Sequence, residues 1–271
     1  MTVPRLVALD VDGTLADPEG VIRPRTLEAV AAVRAAGAEV VVATGRPWRI
    51  AERTIGEIGG AGWAVCSNGS MALRLGGEHE VIRNIFLPDD MPGPVVARLR
   101  EALPGIRFAF EFEFGAKSEP GWQERLPPGV PIGHYVDDIL TLLHGDRGPV
   151  RKVIAFHDDY DHRIAELAAL LSEHAGDGYH VGASGLPFAE VGMPGINKAV
   201  ALADICERLA IDQADVLAFG DEMNDAEMLA WAGTGVAMGN ATEPALAVAD
   251  LVAPSNADDG VAHHLEQLLA P

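Results

Sequence analysis

Short, strongly apolar runs alternate with helical segments at both ends of this chain, and this alternation constrains the fold more than any other feature. Residues 5–11 form the first apolar run, and a helical pattern begins at Pro24. A second apolar run covers residues 39–43, a helix is expected from Pro47, and residues 63–66 form a third run. Uninterrupted apolar strands that alternate with helices are typical of a parallel sheet that is covered on both faces.

The same alternation returns after residue 190. The expected elements there are helices over residues 197–209, 225–231 and 260–269 and strands over residues 216–219, 236–238 and 251–252. We therefore predict an α/β fold, with a Rossmann-like parallel-sheet core and helices on both of its faces. A chain of 271 residues is long enough to bury such a core and to hold a second domain.

The middle of the chain has a different pattern. Four phenylalanines occupy every second position between residues 108 and 114, which predicts a half-buried strand with its phenylalanine face against helices. Residues 151–156 predict another strand, and residues 163–174 predict an amphipathic helix. The expected domains are a core made of residues 1–81 and 191–271 and an inserted α+β domain over residues 82–190.

The charge balance excludes several kinds of partner. Forty acidic residues against twenty lysines and arginines give a net charge of −20, which repels nucleic acids and anionic lipid surfaces.

The first apolar run is too short for a secretory signal, and no run approaches the roughly 18 residues that span a bilayer. Two cysteines, Cys66 and Cys206, cannot form a disulfide framework. We therefore expect a cytoplasmic protein that binds neither nucleic acid nor membrane.

Four strands of the predicted core end in polar turns that contain glycine. These turns are Asp10-Val11-Asp12-Gly13-Thr14, Thr44-Gly45-Arg46, Ser67-Asn68-Gly69 and Gly220-Asp221-Glu222-Met223-Asn224-Asp225. Functional residues of an open parallel sheet lie at the carboxyl ends of its strands. One acidic strand end is often an ordinary helix cap, but two ends that hold four aspartates indicate a site.

The four aspartates, Asp10, Asp12, Asp221 and Asp225, predict a bound cation if their strand ends converge. Carboxylates that share one site cannot all stay ionised without a positive charge beside them. Oxygen ligands without a nearby histidine or cysteine favour Mg²⁺ over zinc.

Two aspartates placed two positions apart suit phosphoryl transfer. Asp10 can attack phosphorus and form an aspartyl-phosphate, and Asp12 can protonate the leaving oxygen and later deprotonate the attacking water. The reaction then needs mainly positioning and charge neutralisation, for which Mg²⁺ and a lysine such as Lys198 are suited. Taken alone, Lys198 would be expected to be a solvated lysine in the first turn of a helix, and only the other strand ends give it a role.

These motifs, and the order in which they follow one another along the chain, resemble those of the haloacid dehalogenase-like (HAD) superfamily. The closest pattern is that of its Cof-type branch of sugar-phosphatase-like hydrolases, which carry a large cap domain between the second and third motifs. The motifs that carry the resemblance are residues 10–15, Thr44 to Arg46, Lys198 and residues 220–225, with further matches at residues 67–70 and 256–261. The inserted domain matches the cap by position and size only.

The resemblance implies a catalytic role for four residues. Asp10 would be the nucleophile and a Mg²⁺ ligand. Asp12 would be the general acid and base, with its backbone carbonyl on the metal. Thr44 and Lys198 would hold and neutralise the transferring phosphoryl group.

The resemblance also implies the remaining metal ligands and the substrate contacts. Asp221 would ligate Mg²⁺, and Asp225 would ligate it through water or orient Lys198. The candidate substrate contacts are Gly45, Arg46, Asn68 and Asn224. Mg²⁺, Lys198 and Arg46 would then create a positive pocket inside an acidic protein, and the cap would select the substrate.

Together these inferences predict a Mg²⁺-dependent phosphatase that acts on a small soluble phosphate monoester such as a sugar phosphate, a nucleotide or a phosphorylated cofactor. A phosphomutase is an alternative, because it also uses Asp10 and Asp12 but returns the phosphoryl group to the substrate. A protein that only binds a phosphorylated ligand is the other alternative. The intact Asp10, Asp12, Lys198 and Asp221 argue against it, since binding needs no nucleophile.

Overall fold

The computed structural model describes residues 3–59, 62–76, 78–126, 134–144 and 148–270. The strands in these ranges are β1 (Leu6–Leu9), β2 (Glu39–Ala43), β3 (Gly62–Cys66), β4 (Met71–Leu75), β5 (Glu80–Asn84), β6 (Arg107–Phe112), β7 (Gly115–Ser118), β8 (His134–Tyr135), β9 (Val150–Phe156), β10 (His180–Ala183), β11 (Ala189–Gly192), β12 (Val216–Gly220), β13 (Thr234–Ala237) and β14 (Leu251–Val252). The helices are α1 (Pro24–Ala35), α2 (Trp48–Glu57), α3 (Pro92–Ala102), α4 (Ile164–Ala175), α5 (Lys198–Leu209), α6 (Ala226–Trp231), α7 (Glu243–Leu246) and α8 (Gly260–Leu269). No helix in the described ranges is long and apolar enough to cross a membrane.

The chain divides into two units. The first consists of Met1–Asn84 and Ile196–Pro271, and the second is Ile85–Gly195. The boundaries expected after residues 81 and 190 fall inside β5 and β11. Because β5 pairs with β4, it stays with the first unit, and because β11 pairs with β9 and β10, it stays with the second.

An eight-stranded sheet forms the centre of the first unit, in the order β14-β13-β12-β1-β2-β3-β4-β5. The strands from β14 to β3 run parallel, as predicted, whereas β4 and β5 add an antiparallel hairpin at one edge. Within the sheet, β1 lies between β2 and β12, and its Leu9 is in register with Val42 on one side and Phe219 on the other. The carboxyl ends of these three strands therefore lie side by side, where an open α/β sheet carries its functional residues.

Successive residues of the buried strands face opposite layers of helices. In β2, Val40 and Val42 belong to a hydrophobic cluster with residues of α1, α2 and α8. Val41 and Ala43 belong to a second cluster with residues of α5 and α6. A strand that is apolar on both faces needs cover on both faces, and the predicted helices on the two sides of the sheet are confirmed.

The second unit contains a six-stranded sheet in the order β10-β11-β9-β6-β7-β8. On one face of this sheet, Phe108, Phe110 and Phe112 of β6 pack in a cluster with residues of α3 and α4, as the alternating pattern predicts. Phe114 lies beyond the end of β6 and is 70% exposed. The aromatic pattern therefore ends one phenylalanine earlier than expected.

The expectation that β6 is half-buried was wrong, because its second face is buried as well. There Ala109 belongs to a small apolar cluster with Trp122 and Phe156. Glu111, which is 2% exposed, forms an ion pair with Lys152 of β9 at 3.3 Å. The charged residue at an alternating position, Glu111, is therefore part of a buried ion pair and does not indicate that this face of β6 is exposed to solvent.

Candidate active site

The ends of β1 and β12 bring two acidic turns together. Asp10 follows β1, Asp221 follows β12, and the backbone N–H of Asp10 donates to the carbonyl of Phe219 at 3.1 Å. Gly13 then reverses the chain with a φ of +80°, and a Cβ at this position would lie 2.1 Å from Oδ2 of Asp221. The turn after Asp10 therefore approaches Asp221 so closely that only glycine fits.

Lys198 reaches this site from the first residue of α5. The Asn197 side chain caps the helix by accepting a hydrogen bond from the backbone N–H of Val200 at 3.0 Å. The Lys198 side chain is fully buried, and its Nζ donates to Oδ1 of Asp10 and to Oδ1 of Asp225, both at 2.6 Å. Burial lowers the pKa of Lys198, but the charges of Asp10 and Asp225 outweigh burial and raise it above its ordinary value. The amine is therefore held as a buried ammonium.

Asp225 connects Lys198 to the end of β12. Its Oδ2 accepts hydrogen bonds from the backbone N–H groups of Asp221 and Glu222, both at 3.0 Å. Its Oδ1 accepts the hydrogen bond from Lys198. Both oxygens of this buried carboxylate thus have donors, and the residue orients the lysine and the strand end together.

Three buried carboxylates, those of Asp10, Asp221 and Asp225, offer oxygen atoms that lie within 4.8 Å of one another. Burial raises the pKa of Asp10 well above its ordinary value, and the charge of Asp225 raises it further. Burial also raises the pKa of Asp221 to about 7, although a 2.7 Å hydrogen bond from Thr14 lowers it. Because these three carboxylates face one ammonium, the set of four side chains has an excess of negative charge. A cluster with only oxygen donors and this charge suits a divalent cation such as Mg²⁺.

The Asp12 side chain has a different partner, the guanidinium of Arg46. Arg46 Nε donates to Oδ2 of Asp12 at 2.8 Å, and its Nη2 donates to Oδ1. Arg46 follows β2, where its backbone N–H donates to Oγ1 of Thr44 at 3.1 Å and its carbonyl accepts from the N–H of Ser67 at 3.0 Å. The end of β2, with Thr44, Gly45 and Arg46, therefore supplies the cation that holds Asp12.

The turn after β3 holds the remaining candidate contacts. Asn68 Oδ1 accepts a hydrogen bond from Nδ2 of Asn224 at 2.9 Å, so these two amides lie together. The backbone is left-handed over three successive residues, with φ values of +49° at Ser67, +54° at Asn68 and +93° at Gly69. A Cβ at Gly69 would lie 2.0 Å from the carbonyl oxygen of Asn197. This turn thus packs directly on the start of the helix that carries Lys198.

The side chains of the predicted site residues therefore form three sets of contacts. The sets are Asp10 with Lys198, Asp221 and Asp225; Asp12 with Arg46 and Thr44; and Asn68 with Asn224. The backbone N–H of Asn68 links the third set to the second by donating to the Thr44 carbonyl at 3.3 Å. Only the first set offers a cluster of carboxylates to a cation, and there the Asp12 side chain is not among the clustered oxygens.

Sequence reasoning missed Asn240, which follows β13. Its Nδ2 donates to the carbonyl oxygen of Gly13 at 2.9 Å and to Oδ2 of Asp221 at 3.3 Å. Asn240 thereby connects the two acidic turns. The signal was present, because β13 is a parallel strand beside β12 and its carboxyl end belongs to the same edge of the sheet.

Comparisons with known proteins show what this chain is similar to. The chain is 31% identical over 247 residues to the HMP-PP phosphatase of Cronobacter sakazakii, and the match covers 90% of this chain and 87% of the relative. It is 26% identical over 276 residues to the 5-amino-6-(5-phospho-D-ribitylamino)uracil phosphatase YitU of Bacillus subtilis, with 98% of each chain covered. A solved phosphatase structure of the haloalkanoate (HAD) superfamily, from Bacteroides thetaiotaomicron, matches with a TM-score of 0.76 and 26% identity, covering 98% of this chain and 95% of the other.

A family model for haloacid dehalogenase-like hydrolases matches residues 7–265. The match begins in β1, just before Asp10, and ends in α8, so it includes every strand end described above. The resemblance carried by the strand-end motifs is thereby confirmed, and the chain belongs to the haloacid dehalogenase-like hydrolase family.

Proposed function

We propose that this chain is a Mg²⁺-dependent phosphatase that hydrolyses small phosphate monoesters through an aspartyl-phosphate intermediate. The observation that carries the proposal is the buried set in which Lys198 pairs with Asp10 and Asp225, with Asp221 beside them. Such a set combines a carboxylate nucleophile, a fixed cation and oxygen ligands for a metal. Both curated relatives are named phosphatases, which supports the same reaction class.

Three residues would hold the metal directly: Asp10 and Asp221 through carboxylate oxygens and Asp12 through its backbone carbonyl. Asp225, whose two oxygens accept hydrogen bonds from Lys198 and from two backbone N–H groups, would bind Mg²⁺ through a water molecule or orient Lys198. When bound, Mg²⁺ would offset the negative charge of the transferring phosphoryl group. The excess negative charge of the cluster and the raised pKa values of Asp10 and Asp221 support this assignment.

The reaction has two halves. In the first, a carboxylate oxygen of Asp10 bonds to phosphorus while the bond from phosphorus to the ester oxygen breaks, and Asp12 gives its proton to the departing oxygen. In the second, water attacks phosphorus, Asp12 takes a proton from that water, and the bond between Asp10 and phosphorus breaks. Inorganic phosphate leaves, and Asp10 and protonated Asp12 are restored. Lys198 and the Thr44 hydroxyl neutralise and bind the phosphoryl oxygens throughout.

Substrate recognition would use the other strand ends and the second unit. Gly45, Arg46, Asn68 and Asn224 are the proposed contacts of the core. The unit Ile85–Gly195 is the proposed cap, which would select the group attached to phosphate. Mg²⁺, Lys198 and Arg46 would together offset the carboxylates of the four site aspartates, so that a phosphate ester can enter the site of a protein of net charge −20.

The test is phosphate release from a panel of sugar phosphates, nucleotides, phosphorylated cofactors and one aryl phosphate, with and without Mg²⁺. We expect release that requires Mg²⁺ and that Asp10→Asn abolishes. Asp212→Asn is the matched control, because this exposed aspartate precedes a short turn without a side-chain cap. Substantial release by Asp10→Asn would contradict the covalent mechanism, and no release from any ester by folded protein would contradict the phosphatase.

A further inference from the structure

The two aspartates that the proposed reaction uses are held by two different cations. Lys198 holds Asp10, and Arg46 holds Asp12. We propose that Arg46 is a positioning residue for proton transfer, which restricts the orientation of the Asp12 carboxyl group. This inference rests on the proposed phosphatase function and adds to it a role for Arg46 that is separate from contact with phosphate.

The geometry of the pair supports positioning. Nε and Nη2 of Arg46 donate to the two different oxygens of Asp12, and a guanidinium that binds a carboxylate through two parallel hydrogen bonds restricts its orientation. Both side chains are partly buried, with 22% of Arg46 and 30% of Asp12 exposed. Solvent therefore competes less for these hydrogen bonds than it does at an exposed ion pair.

Arg46 itself is fixed at both of its backbone polar groups. Its N–H donates to Thr44 Oγ1, and its carbonyl accepts from the N–H of Ser67. These contacts tie Arg46 to the ends of β2 and β3. The guanidinium therefore extends from a bend whose backbone is hydrogen-bonded to residues that follow two neighbouring strands.

Asp12 needs such a partner because of where it lies. Its backbone is extended, with φ of −79° and ψ of 118°, and it directly precedes the left-handed Gly13 in a sharp turn. The neighbouring Asp10 carries the same charge and repels it. Because the Arg46 guanidinium binds the Asp12 carboxyl group, Asp10 and Asp12 can remain apart and serve different functions.

The two possible roles of Arg46, contact with phosphate and positioning of Asp12, predict different kinetic effects. Nε and Nη2 form the pair, and Nη1 is not part of it, so one guanidinium can serve both purposes. Loss of a phosphate contact weakens the reaction of every ester alike, since all share the phosphate. Loss of positioning affects the esters whose leaving oxygen needs a proton, namely alkyl phosphates, far more than p-nitrophenyl phosphate, whose leaving group is a stable phenolate.

The experiment compares kcat/KM of Arg46→Lys for one alkyl phosphate and for p-nitrophenyl phosphate. Lysine keeps the charge but cannot form the two parallel hydrogen bonds. We expect the ratio of alkyl to aryl kcat/KM to fall about tenfold or more, because general acid–base catalysis contributes roughly 10²–10⁴. Arg46→Gln should lower the ratio as well. Arg53→Lys, which changes an exposed arginine of α2, should leave it unchanged.

A double-mutant cycle with Asp12→Asn gives the decisive comparison. Asp12→Asn alone should lower the same ratio, and adding Arg46→Lys should lower it no further, since both changes remove one function. Equal losses for the two esters, or a further fall of the ratio in the double variant, would overturn the inference. Thermal unfolding of each variant identifies any loss that comes from misfolding. Wild-type protein that hydrolyses neither ester would instead remove the proposed function, and this inference with it.

Discussion

Lys198 Nζ lies 2.6 Å from Oδ1 of Asp10, although the two residues are 188 positions apart in the chain. Asp10 directly follows the first strand of the core, and Lys198 begins the helix that follows the second unit. The ion pair is buried at both ends. It therefore joins the two separate segments of the first unit at the point where the proposed chemistry occurs.

Removal of this buried cation should destabilise the protein. Lys198→Met leaves Asp10 and Asp225 buried without their ammonium partner, and breaking a buried ion pair from one side costs about 3–5 kcal/mol. Urea unfolding without Mg²⁺ measures the change, and phosphate release should be lost. Lys117→Met, at a lysine that lies over the Phe112 ring, is the control. Unfolding curves that coincide for wild type and Lys198→Met would contradict the structural role.

The stability of the metal-free protein should depend on pH through Asp221. Its pKa is raised from 3.8 to about 7, so the folded chain keeps a proton that the unfolded chain has lost. The free energy of unfolding should therefore fall as pH rises through this interval. Thermal unfolding in EDTA across the interval measures the slope, and Asp221→Asn should reduce it. A slope that is the same in the variant would show that another group is responsible.

Added Mg²⁺ should stabilise the protein more at about pH 8 than at about pH 5, because a metal binds ionised carboxylates and competes with protons. The increase in Tm on adding Mg²⁺ to EDTA-treated protein is the measurement. Asp221→Asn should lose most of the increase. Equal increases at the two pH values would place the binding away from the buried carboxylates.

Gly13→Ala should abolish phosphate release. The new Cβ would lie 2.1 Å from Oδ2 of Asp221, so the turn or the carboxylate must move. Gly20→Ala is a close control, because Gly20 has nearly the same φ, +78° against +80°, and a Cβ there meets no described atom within 4 Å. Backbone strain alone would affect both variants equally. Activity lost in Gly13→Ala but kept in Gly20→Ala would identify the close approach to Asp221 as the cause.

Gly69→Ala should also reduce activity, by a different route. Its Cβ would lie 2.0 Å from the Asn197 carbonyl oxygen. To relieve this overlap, the start of α5 would have to move, and Lys198 would move with it. We expect a loss in kcat measured with the best ester of the panel. Gly37→Ala has a similar φ of +102° and open space around it, so it should keep its activity. Equal kcat in both alanine variants would mean that the turn can move without displacing Lys198.

Much of the core could be predicted because its signals are local. The apolar run at residues 39–43 coincides with β2, and Pro24 begins α1. The rule that functional residues of an open parallel sheet lie at the carboxyl ends of its strands identified Asp10 and Asp221, because neighbouring parallel strands place these ends together. The same rule, applied to β13, would have found Asn240.

The sequence by itself determined the α/β core, the family and the segments that carry polar strand ends, because strand and helix periodicity and short motifs depend on residues close together in the chain. Only the tertiary structure decided that Lys198 pairs with Asp10 while Arg46 pairs with Asp12, and that Glu111 is buried with Lys152. The physical reason is that an ion pair depends on distances of a few ångströms between turns that the chain connects over long intervals. Those distances are set by strand register and by the close approach of glycines such as Gly13 and Gly69, which no local pattern reveals.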